Sequence, residues 1–308
     1  MEISLDTLGT VMVRAGIVVI MFSMGLQITG IEIMAAVHRR RLMAKALLAN
    51  IILLPLVALV IARLTHMPDE IAAGFLIVSV APGATLTPKL AEIARADLSI
   101  AVSVTFVLAL VSIVTTPVMA GFLLPERLGV RFDPLSVIGI LVVYQLIPLL
   151  AGLAIHNWRP DAARRLRPPS IQLSNLLFFA VVAFYVIRDF SALGGLPPAA
   201  LAAMGLMTLL SIIAGWHLGG PDQATRQTLA LGTSVEFTGL ALLIVAASFP
   251  GTLAGITVVA FGLIMILVNT GLALIWNLRG GAGGARDYRQ LALGRQQSTK
   301  PVLGRRAE

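Results

Sequence analysis

The sequence predicts an all-α polytopic membrane protein, and three observations carry that expectation. Hydrophobic residues make up 57% of the 308 and charged residues only 12%, against about a quarter charged in ordinary soluble domains. Mean hydropathy is +0.92. The apolar residues also gather into runs of about 20, the length a helix needs to cross the hydrocarbon core of a bilayer.

Charged or Pro/Gly-rich punctuation then divides the chain into nine spans, at about 8–29, 42–63, 70–94, 97–124, 135–157, 170–190, 197–217, 223–249 and 252–277. The first follows Met1-Glu2-Ile3-Ser4-Leu5-Asp6, which lacks the positive n-region of a signal peptide, so it is read as a retained span. Nine spans leave no room for a separate soluble domain, and residues 1–278 are expected to form one transmembrane domain. The remainder, 279–308, is rich in Gly, Arg and Gln without an apolar period and reads as a disordered basic cytoplasmic tail.

Composition excludes several classes of function. There is no cysteine, hence no disulfide, thiolate metal site or cysteine nucleophile. His38, His66, His156 and His217 never fall at i, i+3 or i+4 from one another, so metal-ligand spacing is absent. Neither a Gly-x-Ser-x-Gly elbow nor a paired aspartate occurs at membrane depth, which argues against an enzyme. A net charge of +8 invites thoughts of nucleic acid, but alternate connections account for it. Seventeen basic residues fall on one side: Arg39, Arg40, Arg41, Lys45, Arg95, Arg159, Arg164, Arg165, Arg167 and Arg226, together with seven from Arg279 onward. The other side receives five, Arg14, Arg63, Arg127, Arg131 and Arg188. The positive-inside rule makes the first side cytoplasmic, with the N-terminus outside and the C-terminus inside.

Two spans are broken. In the third, Ala81-Pro82-Gly83-Ala84-Thr85-Leu86-Thr87-Pro88-Lys89 puts two prolines and a glycine at membrane depth, where a regular helix should not survive. In the eighth, Gly232-Thr233-Ser234-Val235-Glu236-Phe237-Thr238-Gly239 is small, hydroxylated, bracketed by glycines and carries a carboxylate. Freed backbone groups at that depth are tolerated only where they are buried in protein or face a wet cavity. The two spans lie five apart and therefore cross in opposite directions, the pattern of an inverted five-span repeat lacking its first span. Second half-helices starting near Thr87 and Thr238 would offer unpaired N–H groups to an anion. Ordinary Gly/Pro kinks are the competing reading.

At these residues the sequence resembles the bile acid:sodium symporters. The resemblance covers about residues 10–277 and rests on Met21-Phe22-Ser23-Met24-Gly25-Leu26 with Gln27-Ile28-Thr29, and on Pro82-Gly83-Ala84-Thr85 followed by Ala94-Arg95. Ser103-Val104-Thr105, and Gln227-Thr228-Leu229 leading into Thr238-Gly239-Leu240, complete it. It implies a secondary carrier of organic anions in the inner membrane of a bacterium, with no cofactor beyond a coupling ion. The implied architecture is a core of about 42–124 and 197–277, containing two crossed broken helices, that rocks against a panel of about 8–29 and 135–190. Thr85, Thr87, Phe237, Thr238 and Gly239 would then bind substrate, and Pro82, Gly83, Pro88 and Gly232 would make the breaks.

The family's sodium ligands carry over only in part. Its Ser-Asn pair falls on Thr87 and Pro88, its later serine on Ala101 and its threonine on Thr105. Its glutamate falls on Gly232, its glutamine on Glu236, its asparagine on Phe237, and the glutamine before the first break on Asn50. A sodium ion would have oxygens of Thr87, Thr105 and Glu236 left to it, fewer than a hard cation prefers. Lys89 beside the first break and Glu236 in the second suggest a replacement: the ammonium takes the place of sodium and pairs with Glu236, the protonatable group, so that transport is sodium-independent or proton-coupled. The competing readings are that Lys89 snorkels to the interface and that Glu236 accepts from backbone amides. Gln27, Asn50, Tyr144, Gln145, Asn175 and Asn269 could line a path or serve as interhelical hydrogen bonds. A ligand sensor without transport, or a channel, would share these features.

Overall fold

The computed structural model describes residues 5–29, 34, 38–124 and 132–280. The tail from residue 281 onward, and Arg127 and Arg131, lie outside them. Every regular element among the described residues is helical. In chain order they are α1 (Leu5–Gly25), α2 (Arg40–Leu64, with a wider π-helical turn over Ala49–Leu53), α3 (Asp69–Ser79), α4 (Leu86–Ile93) and α5 (Leu98–Leu123). There follow α6 (Pro134–Trp158, with a π-helical turn over Val142–Leu146), α7 (Pro160–Arg188), the short α8 (Phe190–Gly194), α9 (Pro198–Leu218), α10 (Gln223–Ser234), α11 (Thr238–Ser248) and α12 (Ala254–Gly280). Among the described residues eight stretches are long and apolar enough to cross a membrane, counting α10 and α11 as one. The chain is a multi-pass membrane protein.

The predicted third span is absent from those eight because it is cut in two. α3 has 11 residues and α4 has 8, each too short to cross alone. The sixth span also differs from expectation. The arginine- and proline-rich stretch read as a connection before residue 170 is helical from Pro160 onward. Pro160 sits at the first helical position, where its missing N–H costs nothing. Pro168 and Pro169 are tolerated inside α7 because the carbonyls they free, on Arg164 and Arg165, belong to an exposed turn that water can satisfy.

Helices α1, α6 and α7 pack on one another. α1 and α6 meet backbone to backbone: a Cβ on Gly25 would stand 2.2 Å from the Leu149 carbonyl oxygen, and one on Gly152 would stand 2.3 Å from that of Phe22. The remaining long helices form a second group, with α3 against α12, α9 against α10, and α5 against α4 and α10. The groups touch where α1 meets α11, where α7 meets α12, and where α6 meets α5. At the last of these Gln145 of the α6 π-turn donates to the Ala109 carbonyl at 2.6 Å and to the Ser112 hydroxyl at 3.1 Å.

The two broken segments run antiparallel. α3 begins at the end of the molecule where the Leu253 amide donates to Glu70 at 2.9 Å, and α4 finishes at the opposite end, beside Asp97. α10 begins at that second end, where the Asp97 amide donates to the Thr228 hydroxyl at 3.0 Å. α11 finishes back at the first, just before the Thr252–Leu253 turn.

Candidate functional site

Pro82 and Gly83 make the first break. Residues 81–84 are non-helical, and Gly83 has a φ of +92°, a region that a residue with a Cβ rarely adopts. A Cβ there would also stand 2.6 Å from the Ala109 amide nitrogen. The second break covers Val235, Glu236 and Phe237. One hydrogen bond ties the breaks together, and neighbouring helices take up other freed groups. The Phe237 amide donates to the Ala81 carbonyl at 2.6 Å, joining the breaks where they cross. The preceding carbonyl, Val80, accepts the Thr116 hydroxyl at 2.5 Å, and the Glu236 amide lies 3.0 Å from the Met265 sulfur. Backbone groups freed at membrane depth are thus taken up inside the protein.

Pro88 and Gly232, read from the sequence as parts of the breaks, lie inside half-helices. Pro88 is in the first turn of α4, where an amide would be unpaired anyway. Gly232 is in the last turn of α10, and a Cβ on it would face Val104 Cγ1 at 3.6 Å and Thr87 Cγ2 at 3.9 Å. Both near neighbours of the position on which the resemblance puts the family's glutamate are thus carbon.

A cleft runs along the boundary between the two helix groups, in two adjoining chambers of about 80 and 90 Å³. Thr85, Lys89, Ser174, Asn175 and Ile20 border both. Glu236, Phe237, Thr238 and Gly239 line the first chamber, while Thr105, Pro88, Ser23 and Gln27 line the second. Of the substrate-binding residues expected from the sequence, Thr85, Phe237, Thr238 and Gly239 come together here. Thr87 is buried and borders neither chamber.

The expected pairing of Lys89 with Glu236 is not formed. Lys89 Nζ instead donates to Asn175 Oδ1 of α7 at 2.8 Å, and so bridges the two helix groups. Lys89 is exposed on α4 and its ammonium is engaged by α7, whereas Glu236 is only 4% exposed. The two charges share the first chamber, one at its open side and one at its buried side. Among the described residues neither carboxyl oxygen of Glu236 has a hydrogen-bond partner, so the competing reading, acceptance from the amides of the break, is not met either.

The other polar residues separate into two uses. Gln27 and Asn175 line the cleft. Gln145 and Asn269 make interhelical bonds, Asn269 Oδ1 accepting the Ser234 hydroxyl at 2.6 Å. Asn50 lies in the π-turn of α2 and donates to the Ala46 carbonyl of its own helix at 2.8 Å, away from the cleft. Tyr144 stacks under the Arg14 guanidinium, 5.4 Å from its ring centroid. Thr87, Thr105 and Glu236, the residual sodium oxygens, do not border a common chamber. Sequence reasoning did not single out Ile20, Ser174 or Phe178 as cleft walls. All three come from α1 and α7, whose facing sides no periodicity in the sequence relates to the breaks.

A membrane protein of bundled helices with two antiparallel, interrupted segments crossing beside a cleft that holds a few polar side chains has the make-up of a secondary transporter. The model of the Sodium Bile acid symporter family matches residues 15–192, and the chain belongs to that family. Its relatives include a rice protein named probable sodium/metabolite cotransporter BASS5, chloroplastic, 24% identical over 84% of this chain and 68% of the relative. The corresponding BASS1 protein of Arabidopsis thaliana is 21% identical over 85% of this chain and 65% of its own length. An uncharacterized sodium-dependent transporter of Bacillus subtilis, YocS, is 30% identical over 44% of this chain and 42% of the relative. The chain spans about two thirds of the length of the chloroplast relatives.

Proposed function

We propose that this protein is a secondary carrier that moves a small organic anion across the inner membrane of a bacterium by alternating access. In this reading α3 and α4 together form the third of nine spans, the repeat is an inverted five-span unit lacking its first span, and the C-terminus is cytoplasmic. The names of the relatives support a metabolite as substrate. The observation that carries the reading is the crossing of the breaks, closed by the bond from Phe237 to Ala81, directly beside a cleft that both helix groups line. Chambers of about 80 and 90 Å³ are smaller than the roughly 300 Å³ at which ligand pockets begin, so the cleft must widen to admit substrate. The panel of α1, α6 and α7 moves against the core to do so. Lys89 exchanges Asn175 for the carboxylate of the substrate, and Thr85, Thr238 and the α11 N-terminus complete the anion site.

Glu236 carries the coupling proton in place of sodium. Its burial without a partner, and the carbon environment of Gly232, support this assignment. The test is uptake of short-chain mono- and dicarboxylates into proteoliposomes under an imposed pH gradient or sodium gradient. Accumulation driven by the pH gradient alone, and lost in Glu236→Gln, is expected. Accumulation that needs sodium, or proton-driven accumulation that survives in Glu236→Gln, rejects the coupling role. A complete lack of accumulation under either gradient, in protein that binds these anions, would make it a sensor.

A further inference from the structure

A hollow of about 730 Å³ opens at the head of α2, well away from the transport cleft. One wall carries Arg39, Arg40, Arg41 and Lys45; the other is the turn from Leu218 to Asp222 that joins α9 to α10. That turn is held in shape by Arg226, whose Nε donates to the Gly220 carbonyl at 2.5 Å. The cations are poorly matched by protein acids. Asp222, the one carboxylate lining the hollow among the described residues, already accepts from the Thr225 amide and hydroxyl, both at 2.8 Å. Arg39 reaches Asp97 only at 3.9 Å, and Arg40, Arg41 and Lys45 form no ion pair among the described residues. The positive end of the α2 dipole adds to the repulsion, because its first turn carries arginine where acids are preferred.

We propose that this hollow binds the phosphate headgroup of an anionic phospholipid. Retention of basic residues on one side of the membrane explains why cations are present, but not why four of them line one wall of a concavity. Guanidinium forks suit phosphate oxygens, which supply the missing negative charge. The surface below the hollow favours a lipid over a soluble anion. Leu48, Ile52, Leu56 and Val60 are exposed at successive steps of four along α2, making one apolar stripe that starts one turn from Lys45. Neighbouring α9 exposes Leu206, Leu209 and Ile213. A phospholipid seated with its phosphate among the arginines would lay its chains along these two helices. Its headgroup would also hold the α9–α10 turn, from which the broken segment begins.

The full chain, purified in an uncharged detergent, is titrated with phosphatidylglycerol, phosphatidylcholine or inorganic phosphate. Unfolding temperature and lipid retained in native mass spectrometry are read. Phosphatidylglycerol is expected to raise Tm by about 2 °C or more and to be retained, while the other two do neither. Retention and shift should fall in the double variant R40Q/R41Q and persist in R164Q/R165Q, which removes the same charge elsewhere. Should R40Q/R41Q not fold, Lys45→Gln must by itself lower retention. Inorganic phosphate reproducing the shift would make this a soluble-anion site and overturn the proposal. So would an absent phosphatidylglycerol effect, wild-type retention in R40Q/R41Q or in Lys45→Gln, or an equal loss in R164Q/R165Q, which would mean diffuse surface attraction.

Discussion

Glu236 and Lys89 border the same chamber without meeting, and that separation gives each a distinct test. No hydrogen-bond partner among the described residues holds the Glu236 carboxyl, so Glu236→Gln keeps the shape and removes a liability. The variant should unfold no earlier than the wild type at neutral pH; a Tm several degrees lower would show that the carboxylate is bonded after all. If the proposed anion is the substrate, Lys89→Met should raise its KM at least about tenfold, the loss of one charge-assisted hydrogen bond, with little change in Tm because the side chain is exposed. Gly83→Ala tests the break itself. With φ at +92° and the Ala109 backbone in the way, it should cost about 1–3 kcal/mol or more and lower the unfolding temperature clearly. What the sequence showed of these residues was their chemistry. Their partners were not visible, because Lys89 and Asn175 lie 86 positions apart, on helices whose facing sides are set by packing alone.

At the scale of elements, the first break was legible because Pro82-Gly83 cannot continue a helix. The second was legible only in outline. Its flanking glycines, Gly232 and Gly239, sit inside α10 and α11, and the chain leaves helical form at Val235–Phe237, where no residue demands it. The cause is tertiary: the Phe237 amide is drawn to the Ala81 carbonyl of the crossing segment. Proline-rich 160–169 misled in the opposite way, since exposed carbonyls let α7 pass through Pro168 and Pro169. The N-cap of α10 supplies a pH prediction. The Thr225 amide, then the Thr225 hydroxyl, with a smaller part from Arg39, hold the Asp222 carboxyl below the usual carboxylate range. A folded-state value below the unfolded one stabilises the protein above the ordinary aspartate range. That contribution disappears as the pH falls through the folded value. Asp222→Asn, which can still cap, should therefore show a smaller drop in Tm on acidification than the wild type. An unchanged acid limb would mean that the cap bond is not made by the ionised form.

For the whole molecule, composition and apolar run length sufficed to give a multi-pass helical protein, and the order of short motifs sufficed for the family. The count of spans depends on whether α3 and α4 are taken as one crossing. Their antiparallel relation to α10 and α11 favours that, since Glu70 and Asp97 mark opposite ends of the molecule. A reporter fused after Gly280 should then be cytoplasmic while one at the N-terminus is not; both on the same side would leave an even number of crossings.

The central claim is that a buried carboxyl, and not a sodium site, couples this carrier to its driving force. The most direct measurement is the unfolding temperature of the purified protein in sodium chloride and in choline chloride at equal ionic strength, at two pH values, for the wild type and Glu236→Gln. An ion bound only by the folded state stabilises by about 2.7 kcal/mol at a hundredfold excess over Kd, a readable shift. No difference between sodium and choline is expected, and a pH-dependent difference should separate wild type from Glu236→Gln. A sodium-specific rise in the wild type would contradict it and restore Thr87, Thr105 and Glu236 as ligands of a bound ion.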